Sequence, residues 1–318
     1  MAEELIRVEH LKKYFKVPAG TNHAVDDVSF TIQKGETLGV VGESGCGKST
    51  LGRTLIHLLE STEGKIYLNG QDITDVKGHE LKKVREKMQI VFQDPYSSLN
   101  PRLRIENTVI EPLKMSGRFH SKKELKEEAN RLMELVGIDE RLREAYPHEL
   151  DGGRRQRVCI ARALALQPEF IVCDEPVSAL DVSIQAAVLN LLQELQEQLG
   201  MAYMFVTHDL SVVRHISDNI CVMYLGQLVE KSPTKELFHN TLHPYTKALL
   251  SAIPSTDIHK PMQRIQLKGE ITSPINPKPG CRFASRCPYA TEACQQPQKL
   301  VEVEKDHFVS CCRIKEIG

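Results

Sequence analysis

The stretch GESGCGKS at residues 42–49 has the residue types and spacing of a phosphate-binding loop. Glycines let backbone N–H groups curl around phosphate oxygens, and the positive end of the following helix strengthens the attraction. Lys48 is predicted to reach the β- and γ-phosphates, and Ser49 to offer its hydroxyl to Mg²⁺. The pattern therefore indicates a nucleotide site, lined by Gly42, Ser44, Gly45, Cys46, Gly47, Lys48, Ser49 and Thr50.

Two adjacent acids follow an apolar run in FIVCDEP, residues 170–176. The run predicts a buried strand, and ligands bind at the carboxyl ends of strands in open α/β sheets. Asp174 is predicted to hold Mg²⁺ through water, and Glu175 to orient or deprotonate an attacking water. One acid for the metal and one for the water indicate hydrolysis rather than binding alone.

Two further polar residues end apolar runs in the same way. His208 closes MFVTH and is predicted to hydrogen-bond the γ-phosphate. Gln93 closes VFQ and is predicted to reach both Mg²⁺ and the water. The predicted catalytic set is therefore Lys48, Gln93, Glu175 and His208, with Mg²⁺ held by Ser49, Gln93 and Asp174.

Short apolar runs alternate with helical patterns along the chain, which predicts an α/β fold with a mainly parallel sheet. Residues 64–73 predict an antiparallel β subdomain with a turn at Asn69-Gly70. Residues of about 94–165 predict an α-helical insertion into this P-loop NTPase core. The predicted strands are 37–43, 87–93, 169–175, 201–208 and 219–225, and the clearest helices are 49–60, 122–137 and 182–200.

Composition excludes several classes of protein. The chain has 41 basic and 42 acidic residues, which argues against a protein that wraps nucleic acid. No run approaches the roughly 18 apolar residues of a membrane span, and the polar start predicts no secretion signal. We therefore expect a soluble intracellular chain whose membrane role, if any, comes through a partner.

Five of the nine cysteines lie in the last 38 residues, at 281, 287, 294, 311 and 312. In a reducing compartment such a cluster favours metal or redox chemistry over disulfides. The spacings are looser than the paired cysteines of ordinary zinc sites, and four thiolates suit either zinc or an iron–sulfur cluster. We expect a cassette at residues 1–255 and a small cysteine-rich C-terminal module at 256–318.

Six motifs occur in the order found in ATP-binding cassette (ABC) ATPases, and the resemblance covers residue 5 to about 250. In that family two cassettes enclose two ATP molecules, each between the loop of one cassette and the signature of the other. An aromatic residue before the loop stacks on adenine, and Phe15 matches best, with Tyr14 as the alternative. The motifs are GESGCGKS at 42–49, VFQDP at 91–95, LDGGRRQR at 150–157, IVCDEP at 171–176, SALD at 178–181 and THD at 207–209.

Longer stretches resemble the second ATPase chain of bacterial oligopeptide and dipeptide importers. They are ESGCGKSTLGR, FQDPYSSLNPR, DEPVSALDVSIQA, LHPYTKALLSAIP and SPINPKPGCRFASRCP. The resemblance implies a different ATPase chain as partner, two membrane permeases, an extracytoplasmic peptide-binding protein and a peripheral position on the cytoplasmic face of the membrane. It also implies a 4Fe–4S cluster on Cys281, Cys287, Cys294 and Cys311, with Cys312 as a possible substitute and zinc as the alternative metal.

The signature stretch 150–157 departs from the family pattern Leu-Ser-Gly-Gly-Gln, because Asp151 replaces the serine and Arg154 the glutamine. In the family, the serine hydroxyl and the N–H groups at Gly152 and Gly153 hold the partner's γ-phosphate. Asp151 is predicted to cap the helix, yet its charge opposes a phosphate by about 4 kcal/mol at 4 Å and an effective dielectric of 20. Arg154 or Arg155 could offset part of this. We expect one weakened ATP site on the partner's loop.

Other functions fit the sequence less well. Import of another small solute such as nickel, or a non-transport ABC ATPase, are the alternatives to peptide uptake. A nucleic-acid or ribosome motor would need two cassettes or a long coiled-coil insertion, and a redox sensor would need the tail to control activity. A catalytically dead subunit conflicts with the presence of Lys48, Asp174, Glu175 and His208.

Overall fold

The computed structural model describes residues 3–253, 264–267, 269 and 273–317, so the predicted boundary at 255–256 and the end of LHPYTKALLSAIP lie outside the described residues. The strands are β1 (Glu4–Val17), β2 (Gly20–Gln33), β3 (Thr37–Val41), β4 (Glu63–Leu68), β5 (Gln71–Asp72), β6 (Met88–Val91), β7 (Phe170–Asp174), β8 (Ala202–Thr207), β9 (Asn219–Tyr224), β10 (Gln227–Pro233), β11 (Val301–Glu304) and β12 (His307–Val309).

The α-helices are α1 (Lys48–Leu55), α2 (Gly78–Lys87), α3 (Pro95–Ser98), α4 (Ile105–Ser116), α5 (Lys122–Leu135), α6 (Gly152–Leu164), α7 (Val182–Leu199), α8 (Leu210–Ile216), α9 (Thr234–His239), α10 (Pro244–Ser251) and α11 (Ile314–Ile317). Short 3₁₀ helices lie at Glu140–Leu142, Pro147–Glu149 and Glu292–Gln295.

The chain forms two compact units. Unit 1 consists mainly of Asp75–Met204 and carries helices α2 to α7. In it β6 pairs with β7 in parallel, from Met88↔Phe170 to Val91↔Cys173, and α6 packs against α4 and α7. The alternation of buried strand and amphipathic helix produces this arrangement, as expected for a parallel pair that is covered by helices.

Unit 2 consists of Glu4–Ile32, Glu36–Thr74 and the chain from Phe205 onward. One of its sheets has the order β2-β1-β4-β5, in which β1 and β4, and β4 and β5, run antiparallel. The predicted turn is confirmed: Asn69 and Gly70 have φ angles of 51° and 76°, as a two-residue hairpin turn requires. The long strands β1 and β2 were not expected from the sequence.

The other sheet of unit 2 is mixed, so the expectation of a mainly parallel sheet needs correction there. Strand β3 pairs in parallel with β9, but β9, β10, β12 and β11 follow one another antiparallel. The hairpin β11–β12 comes from the far end of the chain and joins the edge of β10. Its register pairs Glu230 with Val309 and Lys231 with Phe308.

The predicted helices exist, but α1 ends five residues earlier than its apolar pattern suggests. His57 adopts a left-handed φ of 58°, and the N–H groups of His57 and Leu58 bond back to the carbonyls of Thr54 and Arg53. This is a Schellman ending, which usually uses glycine and here uses histidine. The residues after it therefore leave the helix although they remain apolar.

Candidate nucleotide site

The phosphate-binding loop (residues 42–49) leaves the carboxyl end of β3, whose five residues are buried. The backbone approaches two other strands so closely that glycine is required. A Cβ on Gly42 would lie 2.1 Å from the carbonyl oxygen of Met223, and one on Gly47 would lie 1.9 Å from that of Ala24. Both glycines also have positive φ angles, 155° and 105°. The loop thus owes its shape to glycine at these two positions.

Lys48 opens α1 with its side chain folded into the loop. It is 5% exposed, and its Nζ donates to the carbonyl oxygens of Gly42 at 2.7 Å and Glu43 at 3.1 Å. The N-cap residue, Gly47, brings no side chain to the first N–H groups of the helix. The loop therefore combines a buried ammonium with a helix N-terminus that carries no capping carboxylate or hydroxyl, which suits a polyphosphate.

The remaining loop residues divide by exposure. Ser44 and Gly45 lie exposed at the tip, whereas Ser49 and Thr50 are half-buried in the first turn of α1. Cys46 is buried with its Sγ 3.9 Å from Lys48 Nζ, and burial raises the pKa of its thiol. Cys46 is thus a protonated packing residue rather than a reactive thiol. His208 is exposed directly after β8.

Two predicted catalytic residues meet in unit 1. Because β6 and β7 run parallel, Gln93 and Glu175 both lie just beyond the paired residues Val91 and Cys173. The amide Nε2 of Gln93 donates to Oε2 of Glu175 at 2.9 Å. Glu175 has a left-handed φ of 50°. This conformation is unfavourable for residues other than glycine, and residues strained in this way are concentrated at functional sites. Asp174, one residue earlier, is 2% exposed at the end of β7.

The signature stretch forms the start of α6, and Asp151 is its N-cap. Its Oδ1 accepts the N–H of Arg154 at 2.8 Å, and its Oδ2 lies 3.5 Å from the Arg154 guanidinium. Arg155 turns away, since its Nε donates to the carbonyl of Pro147 at 2.7 Å. Of the two arginines considered from the sequence, only Arg154 pairs with the acid here.

The two signature glycines allow a close contact with the chain that leads into α7. A Cβ on Gly153 would lie 2.5 Å from Ile184 Cγ2, and one on Gly152 would lie 3.0 Å from Leu180 Cδ2. The SALD stretch (178–181) and the start of α7 therefore pack directly on the backbone of the signature. This close packing is a structural reason for glycine at both positions.

The two adenine candidates differ in their surroundings. The Tyr14 hydroxyl donates to Asp26, and its ring stacks on His23 with centroids 3.9 Å apart. Burial and the Asp26 carboxylate raise the pKa of Tyr14. The Phe15 ring has no polar group of its own and carries the Lys13 ammonium 4.9 Å from its centroid. Phe15 therefore remains the better candidate for stacking.

The tail cysteines gather in unit 2. Cys281 donates its N–H to the carbonyl of Cys294 at 2.8 Å, and the sulfurs of Cys294 and Cys312 are 3.9 Å apart. Burial, together with the charges of Cys294, Cys311 and Cys287, raises the pKa of Cys281 to about 11. Thiols so close to one another are a donor set for a soft metal centre.

The sulfur spacing bears on which metal fits. In the part of the chain that the structure describes, no three cysteine sulfurs lie within 4.8 Å of one another. A tetrahedral zinc ion with bonds of about 2.3 Å holds sulfurs about 3.8 Å apart. The sulfurs of Cys294 and Cys312 have that spacing, and no third cysteine sulfur completes the site in the described residues.

A second group of possible ligands joins the C-terminal hairpin to its neighbours. Ligand atoms of Glu236, Glu304 and His307 lie within 4.8 Å of one another. His307 Nε2 lies 2.8 Å from Glu230 Oε1, and Asn240 donates to Glu304 at 2.9 Å. These two contacts connect β12 with β10, and β11 with the residue that follows α9.

The phosphate-binding loop also makes hydrogen bonds that the sequence did not predict. The N–H of Glu43 donates to the Tyr245 hydroxyl at 2.8 Å, and the N–H of Gly226 donates to the carbonyl of Cys46 at 2.8 Å. Tyr245 lies in LHPYTKALLSAIP, a stretch that supports the family resemblance and for which the sequence predicted no role.

Among the described helices, none is long and apolar enough to cross a membrane.

Comparison with known proteins identifies the family. The ABC transporter family matches residues 25–178, and the oligopeptide/dipeptide transporter C-terminal region matches residues 229–294. The chain is 49% identical to the oligopeptide transport ATP-binding protein AppF of Bacillus subtilis, over 97% of each chain. It is 48% identical to the oligopeptide transport ATP-binding protein OppF of Salmonella typhimurium, over 95% of this chain and 91% of that one.

A solved structure agrees with this match. The dimeric post-hydrolysis state of the ATP-binding cassette MJ0796, bound to ADP and Pi, superposes with a TM-score of 0.67 at 32% identity, over 72% of this chain and 98% of that one. The chain therefore belongs to the ABC transporter ATP-binding proteins. Within them it carries the C-terminal region of the oligopeptide and dipeptide transporters.

Proposed function

We propose that this chain is the ATP-hydrolysing subunit of a membrane importer for oligopeptides or dipeptides. The observation that carries the proposal is the 2.9 Å hydrogen bond from Gln93 to Glu175 at the ends of two parallel strands, in a chain whose loop surrounds a buried lysine. Such a pair holds a carboxylate in one orientation, as a general base requires. Peptide cargo is supported by the names and the nearly full-length match of the relatives.

The residues divide the chemistry between them. Lys48 and the N–H groups of the loop bind the β- and γ-phosphates, and Phe15, or Tyr14, stacks on adenine. Glu175 removes a proton from the attacking water while Gln93 fixes its carboxylate, and His208 donates a hydrogen bond to the γ-phosphate. Ser49, Gln93 and Asp174 would hold Mg²⁺, which neutralises charge on the phosphate oxygens when bound.

The signature of this chain acts on ATP bound to a partner. Gly152 and Gly153 offer their N–H groups to the partner's γ-phosphate, and Asp151 takes the place of a neutral hydroxyl. The carboxylate repels the phosphate, and Arg154 offsets part of that repulsion through the 3.5 Å contact. The partner is therefore a second, different ATPase chain, whose own ATP site is the weaker one, while the loop of this chain forms the active site.

The assembly that this function requires includes two membrane permeases and an extracytoplasmic peptide-binding protein. The chain would bind peripherally at the cytoplasmic face of the membrane, with the helices that follow Gln93 against the permeases. Its nearly equal numbers of acidic and basic residues suit this role better than nucleic-acid binding.

The tail cysteines Cys281, Cys287, Cys294 and Cys311 would hold a 4Fe–4S cluster, with Cys312 as substitute fourth ligand and zinc as the alternative. Such a group supplies cross-links between chain segments, and electron transfer is not required. Anaerobic purification should yield about four irons and four sulfides per chain, lost in Cys287→Ser. Stoichiometric zinc or absence of metal would reject the cluster and leave the ATPase proposal standing.

The function is tested by Glu175→Gln in the assembled transporter. Turnover of ATP should fall by about 100-fold or more while nucleotide affinity stays the same, because a general base acts on the chemical step. Glu197→Gln, an exposed glutamate on α7, is the matched control and should leave turnover unchanged. Full turnover by Glu175→Gln would reject the proposal. Uptake of labelled peptides, compared with labelled nickel, distinguishes the cargo.

A further inference from the structure

Glu43, the second residue of the phosphate-binding loop, is fixed at both its main chain and its side chain. Its N–H donates to the Tyr245 hydroxyl at 2.8 Å. Its carboxylate accepts two parallel hydrogen bonds from Arg286, Nη1 to Oε2 at 2.7 Å and Nη2 to Oε1 at 3.1 Å. This bidentate geometry is the strongest form of an arginine–carboxylate pair.

Burial makes this pair more than a surface ion pair. The Arg286 side chain is 8% exposed and that of Glu43 is 25% exposed. The hydrogen bonds to Glu43 raise the pKa of Arg286 above its usual value. Removal of one partner would leave the other charge poorly solvated, so the pair constrains the loop strongly.

Three aromatic rings support both contacts with Glu43. Tyr224 lies 4.7 Å from Tyr245 and 5.3 Å from Phe283, and Tyr245 lies 5.4 Å from Phe283, measured between ring centroids. All three side chains are almost completely buried. Arg286 Nη1 also lies 3.4 Å from the Tyr224 hydroxyl. The two groups that hold Glu43 therefore rest on one closely packed cluster.

Arg286 belongs to the cysteine turn, which we define as residues 281–287. Within it, the N–H of Ala284 bonds to the carbonyl of Cys281 at 3.0 Å, and that of Arg286 to the carbonyl of Phe283 at 2.9 Å. Cys281 and Cys287 begin and end the turn. The backbone hydrogen bonds of the turn therefore connect both cysteines with the residue whose guanidinium holds Glu43.

We propose that Arg286 is a positioning residue for the phosphate-binding loop, and that the cysteine turn thereby sets how well the loop binds ATP. The inference rests on the proposed function because it takes ATP as the ligand of the loop. Arg286 contacts the loop rather than the nucleotide and acts through Glu43. Since coupling between two sites is reciprocal, the state of the thiols and the affinity for nucleotide are linked.

The test compares Arg286→Met with Arg313→Met in the full chain. Arg313 pairs with Glu316 and directly follows Cys312 in the sequence. Arg313→Met therefore also removes a positive charge near the cysteines, but it leaves the pair of Arg286 and Glu43 in place. The dissociation constant of a fluorescent ATP analogue should rise about tenfold for Arg286→Met and less than twofold for Arg313→Met. Metal content and melting temperature are measured on both proteins.

Two further variants separate positioning from general stability. Glu43→Gln should weaken binding as much as Arg286→Met, and the double variant should be no weaker, because residues that act through each other are not additive. Arg286→Lys keeps the positive charge but cannot form the two parallel hydrogen bonds with Glu43, so it should give an intermediate affinity for nucleotide. Cys287→Ser should weaken binding, with no further loss when combined with Arg286→Met.

The outcomes separate this inference from the proposed function. If Arg286→Met lowers the melting temperature but leaves the dissociation constant unchanged, Arg286 only supports the fold and the inference is wrong. Should Arg286→Met fail to fold, the comparison of Arg286→Lys with wild type decides in the same way. A wild-type chain that binds no nucleotide would overturn the proposed function itself.

Discussion

The helices α1 and α6 both follow glycine-containing turns, but their first residues use the backbone N–H groups differently. At α1 the N-cap is Gly47, which brings no side chain, and the loop before it encloses the Lys48 ammonium. At α6 the N-cap is Asp151, whose carboxylate accepts the N–H of Arg154. One helix end offers positive charge to a ligand, and the other is already partly neutralised by its own chain.

A carboxylate cap and a phosphate site are therefore opposing requirements at a helix N-terminus. Asp is among the best N-caps, so α6 gains stability from the residue that weakens its attraction for an anion. Glycine caps less well, and α1 relies on the close backbone packing around Gly42 and Gly47 instead. Substitutions at three helix N-termini test this difference.

Gly47→Ala should abolish measurable nucleotide binding. Its Cβ would lie 1.9 Å from the Ala24 carbonyl oxygen and would occupy a φ of 105°, so the loop must shift. Overpacking and backbone strain together cost about 4 kcal/mol, or about 10³-fold in affinity. Gly45→Ala, where φ is 78° but nothing lies within 4 Å, should have a much smaller effect in the same titration. Equal losses of nucleotide affinity in both variants would show that glycine is needed at these positions for its positive φ angle and not for close packing.

At a third helix, α10, the N-cap is a residue that can titrate. His243 is the N-cap of α10, and its Nδ1 accepts the N–H of Tyr245 at 3.1 Å. Burial lowers the pKa of His243 from 6.5 to about 4, so the folded protein holds the imidazole neutral. The unfolded chain then binds the proton more readily, and stability falls as pH drops from 6.5 towards 4.

The loss of unfolding free energy from this residue should reach about 3 kcal/mol, measured by denaturant titration at a series of pH values. His243→Asn keeps a capping oxygen without the titration and should flatten the curve between pH 6.5 and 4. An unchanged slope in His243→Asn would show that other groups cause the acid sensitivity.

Asp151→Ser should raise the ATP turnover of the assembled complex by about three- to tenfold, because a neutral hydroxyl replaces a repelling charge at the partner's phosphate. Serine caps as well as aspartate, so the unfolding free energy should change by less than about 0.5 kcal/mol. Asp139→Ser is the control, since Asp139 also caps a helix and pairs with an arginine. Unchanged turnover in Asp151→Ser would reject the asymmetry of the two ATP sites.

Local sequence patterns predicted the five strands and the turn at Asn69-Gly70 because these depend on neighbouring residues. The meeting of Gln93 with Glu175 followed from the parallel pairing of their strands. The contacts of Glu43 with Tyr245 and Arg286 could not be predicted, since they join residues 202 and 243 positions apart and no local pattern marks them. The early end of α1 was missed because histidine takes a position that usually requires glycine.

The hairpin β11–β12 also protects the protein against aggregation. Without it, β10 would present a row of unpaired N–H and C=O groups, a template on which other chains can aggregate. The hairpin covers that edge with β12, and the new outer strand β11 carries the exposed acids Glu302 and Glu304. During synthesis the edge stays open until residues 301–309 leave the ribosome, so a chain truncated before residue 300 should precipitate even with every catalytic residue present.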